Sequence, residues 1–97
     1  SIKMINSTFE NDFKINQQML KEILIDKYDI LSIFEPKTYS GLKAKYKINE
    51  NEKTSFLIFK SGKVIVAGSK SYDSLKVGYD KIKLILEKER KSIELKE

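Results

Sequence analysis

The sequence predicts an α+β domain: a five-stranded, mainly antiparallel sheet with two helices packed on one face, in the order β-α-β-β-β-β-α. Three observations carry this. Short apolar runs of strand length recur between turn residues, two longer stretches show the three- and four-residue spacing of a buried helical stripe, and the segment Thr54–Ser71, "TSFLIFKSGKVIVAGSKS", is apolar on both of its alternating sets. A chain of 97 residues has helices enough to cover one face of such a sheet only, so the second apolar face calls for a purpose outside the core.

Taken in order, Ile2–Phe9 reads as a strand with Ile2, Met4, Asn6 and Thr8 on one side and Ile5, Ser7 and Phe9 on the other. Asn16 opens a helix, "NQQMLKEILIDKY", whose stripe is Met19, Leu20, Ile23, Leu24 and Tyr28. Ile30–Phe34 is a second strand, stopped by Pro36 and Gly41. Leu42–Ile48 alternates Leu42, Ala44, Tyr46 and Ile48 with Lys43, Lys45 and Lys47. The "NENE" turn leads to Thr54–Lys60, Ser61-Gly62 suits a two-residue hairpin loop, and Lys63–Gly68 is the fifth strand. Ser71 is placed to cap the last helix, with Asp73 in its first turn and Leu75, Gly78, Tyr79, Ile82, Ile85 and Leu86 as its stripe. Residues from about 88 to 97 read as a charged, solvated helical tail on a single domain spanning 1–97.

Composition removes whole classes of chemistry. With neither Cys nor His, the chain has no disulfide, no thiolate nucleophile, no imidazole base and none of the usual zinc ligand sets. The carboxylates Asp26, Asp29, Glu50 and Glu52 fall on surface or turn positions, and the reading is of a protein that is not an enzyme and needs no cofactor or metal. No apolar run approaches the roughly 18 residues of a membrane span, so no membrane partner is expected. The chain starts at Ser1, as an excised piece would.

The net charge of +5 is unevenly placed. Between Lys37 and Lys70 eight lysines face two glutamates, an excess of six, while the remaining residues hold eleven basic and twelve acidic side chains. Positive charge thus collects on the segment with the doubly apolar hairpin. A lysine-rich rim discourages edge-to-edge aggregation, and around an apolar patch it is also the footprint of a nucleic-acid site.

At this level of detail the residues resemble a known family. "IFEPKTYSGLKAKY" followed by "TSFLIFKSGKVIVAGSKSYDSLKVGYDKIKLIL" is similar to the second half-repeat of the TATA-binding protein family, whose pattern runs E-P-x-x-aromatic-x-G-L, then L-I-F-x-S-G-K, then G-x-K-S. The resemblance covers Ile2 to about Leu86, including "DFKI" ahead of the first helix. It implies a curved sheet, half of a saddle, whose concave face lies on a widened minor groove of A·T-rich promoter DNA and bends it. Leu57, Phe59, Ile65 and Ala67 would then face the groove, with Phe59 and Tyr39 as paired aromatic wedges and Lys45, Lys63 and Lys70 on phosphates. Where the family presents an Asn and, two residues on, a Val to the central base pairs, this chain has Met4 and Asn6. In the wedge loop, Glu35 matches the family's contact with the B-type initiation factor, and Lys37 and Thr38 replace an acidic residue and a Leu.

The family carries two such repeats in tandem, so a second half-saddle, as a homodimer through Ile2–Phe9 or as a sister repeat, is an implied partner beside duplex DNA. An intracellular location follows: nucleus, archaeal cytoplasm or a viral replication site. An alternative within the same resemblance is a module that uses the apolar face to dock protein. A third, an accessory substrate-binding domain like that at the front of type-III ribonuclease H, fits the "EPKTYSGL" loop less well.

Overall fold

Alternation of β-prone residues builds five strands, β1 (Ile5–Glu10), β2 (Leu31–Ile33), β3 (Leu42–Lys47), β4 (Lys53–Ile58) and β5 (Lys63–Ser69). Helix α1 (Gln17–Tyr28) lies between β1 and β2, α2 (Tyr72–Lys88) follows β5, and a single turn, α3 (Arg90–Ile93), comes last. The structure, a computed structural model, describes residues 4–96. The first strand, expected from Ile2, is seen from Ile5, and Ile2 and Lys3 lie outside the described residues. The strands form one sheet in the order β1-β5-β4-β3-β2, with every neighbouring pair antiparallel. The predicted α+β class and element order are therefore observed, and β1 and β2 are the edges.

The helices take the face of Phe56, Ile58, Val64 and Val66, all fully buried together with Leu42 and Ala44 of β3. Burying a side chain such as Phe56 contributes about 1.5–3 kcal/mol. Helix α2 lies across β1, β5 and β4 and supplies Ile82, Ile85 and Leu86; α1 packs beside β2 and supplies Leu20 and Leu24. Leu57, Phe59, Ile65 and Ala67 occupy the other face, half-buried by their neighbours and covered by no helix among the described residues.

Both helix starts behave as the sequence indicates. Asn16 accepts a hydrogen bond from the Met19 amide at 3.0 Å, and Ser71 accepts one from the Ser74 amide at 3.1 Å. The stripe of α1 is shifted from expectation: Met19 is exposed, and Gln17 is buried in its stead. Gln17 goes inward because its amide nitrogen meets two main-chain carbonyls there.

Two further expectations need correction. The hairpin loop has three residues, not two: the Phe59 amide donates to the Lys63 carbonyl at 2.9 Å and the Gly62 amide to the Phe59 carbonyl at 3.0 Å, enclosing Lys60, Ser61 and Gly62. Strand β4 ends at Ile58, so Phe59 stands at the sheet's end rather than within a strand. The charged tail does not run on as a solvated helix. It breaks at Glu89, buries Ile93 completely and returns along the start of α1, where Asn16 donates to the Ile93 carbonyl at 2.7 Å and Leu95 to the Lys14 carbonyl at 2.9 Å. Isoleucine at this position outweighs the surrounding charge because it fills the gap between α1 and α2. No helix among the described residues is long and apolar enough to cross a membrane.

Candidate nucleic-acid interface

Strand register sets two rows of side chains across the uncovered face. The first runs Ile33, Lys43, Leu57, Ile65 and Thr8, each opposite the next on neighbouring strands; the second runs Leu31, Lys45, Ser55 and Ala67. The centre is apolar and β3, next to the β2 edge, is lysine-rich. Leu31 and Ile33 on the β2 edge are 65% and 50% exposed, an arrangement no monomer core requires.

At the end where β4 finishes, two aromatic rings stand together. Tyr39 and Phe59 have centroids 6.0 Å apart at an interplanar angle of 66°, an edge-to-face pair. Tyr39 is brought there by a turn starting at Glu35, whose carbonyl accepts from Thr38 at 2.9 Å and Tyr39 at 3.0 Å, with Pro36 at the first corner. Lys43 places its ammonium 4.7 Å from the Tyr39 ring centroid. Gly41 makes the pair possible: a Cβ there would sit 2.7 Å from Tyr39 Cε2 and 3.0 Å from Phe59 Cε1. Sequence reasoning took Gly41 for a turn residue only.

The opposite end of the strands has a different chemistry. A shallow cavity of about 270 Å³ is lined by Met4, Lys45, Lys53, Ser55, Gly68 and Lys70 among others. Beside it β5 bulges. Between the pairs Ser7–Val66 and Ile5–Ser69, β1 advances two residues and β5 three, and Gly68 takes up the extra residue at φ 80°. The Gly68 amide donates to Asn6 Oδ1 at 3.1 Å, and Thr54 Oγ1 donates from the core side to the Ala67 carbonyl at 3.0 Å. Asn6 itself is exposed, like Thr8 two residues on in β1.

The sequence-selected residues thus divide by place. Leu57, Ile65 and Ala67 form the middle of the face; Tyr39, Phe59 and Lys63 gather at one end; Met4, Asn6, Lys45 and Lys70 lie at the other. Glu35 and Thr38 line a cleft of about 110 Å³ with Tyr39 and Lys43, and Lys37 is exposed on the same turn outside that lining. Thr8, Leu31, Ile33, Lys43 and Ser55 share the face but were not singled out. The period-two pattern of "ILSIF" held the signal for two of them, since Ser32 is buried while Leu31 and Ile33 face out.

The family model for the transcription factor TFIID, or TATA-binding protein, matches residues 1–89 of this chain. The chain belongs to the TATA-binding protein family. Its similarity to individual members is low: it is 29% identical, over 97% of its own length and 28% of the other's, to a TATA-box-binding protein-like protein of Acanthamoeba polyphaga mimivirus. It is 32% identical to TATA-box-binding protein 2 of Entamoeba histolytica, over 76% of this chain and 34% of that one. TATA-box-binding protein 1 of the same organism is also 32% identical, over 76% and 30% respectively. The chain spans about a third of the length of these family members.

Proposed function

We propose that this chain is a half-saddle of a transcription initiation factor that binds A·T-rich duplex DNA in the minor groove through its uncovered sheet face and bends it. The single observation that carries the reading is the uncovered apolar face itself, with an aromatic pair at one end and lysines along its margin. A minor groove over A·T pairs offers few polar groups, namely the A N3 and T O2 acceptors. An apolar sheet answers its shape, and the Nδ2 donor of Asn6, two residues after the position of the family's own Asn, answers its acceptors. Leu57, Ile65 and Ala67 contact sugars and base edges; Tyr39 and Phe59 enter a base step and unstack it; Lys45, Lys63 and Lys70 hold phosphates. The role is binding, not catalysis.

Completion of the saddle falls to a second unit, a sister repeat or another copy, placed along the β1 edge. Glu35, Lys37 and Thr38 form a surface for a B-type initiation factor beside the wedges. The same face used for protein docking alone is the competing reading, and one experiment separates them. Replacing A·T by inosine·cytosine pairs keeps the minor-groove surface and changes the major-groove one. Affinity for an A·T-rich duplex should survive that exchange and fall on a G·C-rich duplex of equal length. Equal affinity for all three duplexes would argue for charge-driven contact and against the groove.

A further inference from the structure

Resting on the minor-groove reading, we propose that Gln17 is the positioning residue of the aromatic wedge: its one amide group fixes the Ser40–Gly41 peptide unit, one residue past Tyr39, relative to the Ile58–Phe59 unit that carries Phe59. Gln17 lies at the start of α1, is 8% exposed, and directs Nε2 to two carbonyls, that of Ser40 at 2.8 Å and that of Ile58 at 2.9 Å. Ser40 follows Tyr39 in the chain, and Ile58 precedes Phe59. These two segments are remote in sequence, and the β3–β4 ladder joins them only from Leu42 and Ile58 onward, short of Ser40. The two hydrogens of a single planar amide nitrogen span them, which fixes a separation as well as an attachment. Both acceptors are carbonyls, so the amide has only one orientation that satisfies them.

A purely structural role predicts something else. Glutamine buried at a helix start costs desolvation that an apolar residue avoids. What the amide adds is geometry at the ring pair, seated over Gly41, where displacement by a few tenths of an ångström changes the contact. Wedge insertion depends on presenting both rings at one base step, so slackening this tether reduces bending more than it reduces fold stability.

The test uses the full chain. In the wild type, couplings across the hydrogen bonds from Gln17 Nε2 to the carbonyl carbons of Ser40 and Ile58 should be measurable by NMR, and their absence overturns the proposal. Gln17→Leu keeps the volume and removes both donors; Gln17→Asn keeps the amide but is one methylene too short to reach both carbonyls. Each should weaken the Tyr39–Phe59 ring-to-ring NOEs and move the Gly41 amide resonance in the free protein. Each should also reduce the bend of an A·T-rich duplex and lower affinity about tenfold, roughly the worth of one to two hydrogen bonds, at unchanged salt slope. Unaltered ring NOEs and bending in the folded variants overturn the proposal. If wild-type protein fails to bind the duplex, the minor-groove reading falls, and the couplings and ring NOEs still decide what Gln17 does.

Discussion

Phe59 shows how one side chain distinguishes a binding face from a core. It follows Ile58, which is fully buried, yet it is only half-buried itself and meets Tyr39 rather than the helices. The lysines invite the same question, whether they act by place or by number. If Lys45, Lys63 and Lys70 hold phosphates, each Lys→Ala should weaken binding equally on all sequences and lower the salt slope by about one. Lys83 and Lys88, on α2, should do neither. Titrations across a salt series check this, and equal effects from both sets would reduce the role of lysine to net charge. Position could be read for Lys45 and Lys63 because the period-two alternation within β3 and β5 fixes which way they point, whereas Phe59 and Lys70 lie just past the strand ends. The support beneath them could not: Gly41 and Gln17 act through contacts between segments far apart in the chain, which no local pattern records.

At the scale of elements, the chain after Lys88 ties the two helices together. Lys27 lies 2.7 Å from the Glu89 carboxylate, and the Tyr28 hydroxyl donates to the same oxygen. The Lys27 ammonium first, then the Tyr28 hydroxyl, hold the Glu89 carboxyl below its ordinary pKa. A depressed folded-state pKa adds stability above the unfolded value, about 4.3, that is lost as pH falls through the folded one. Glu89→Gln should therefore destabilise the protein at pH 7, and the gap from wild type should close as pH falls below the unfolded value of about 4.3 and through the folded one. Denaturant melts at pH 7 and pH 3 measure it; an equal gap at both would mean that the carboxylate charge contributes nothing. The return of this tail was hidden in the sequence because "EKERKSIELKE" is mostly charged, and a single isoleucine, Ile93, anchors it. By contrast, the capping residues Asn16 and Ser71 and the strand order of apolar faces were legible, since each depends on neighbours within a few residues.

For the whole molecule, the β1 edge, unpaired among the described residues, and the uncovered face are the surfaces on which the proposed second unit would act. A chain that spans about a third of the family members it matches presents one sheet where a saddle needs two. We expect the natural full-length chain to carry a sister repeat or to sediment as a two-fold dimer at high micromolar concentration, and a monodisperse monomer lacking a second repeat would refute this. The central claim, that the uncovered face bends A·T-rich DNA by inserting Tyr39 and Phe59, is tested most directly by energy transfer between dyes on the two ends of an A·T-rich duplex saturated with protein. Wild type should shorten the end-to-end distance. Phe59→Ala should lengthen it again and lose about 1–3 kcal/mol of affinity, taking base–aromatic stacking on single strands as the guide, with thermal stability close to wild type. Energy transfer that stays at the free-duplex value with saturating wild-type protein, or bending that Phe59→Ala leaves unchanged, would contradict the account.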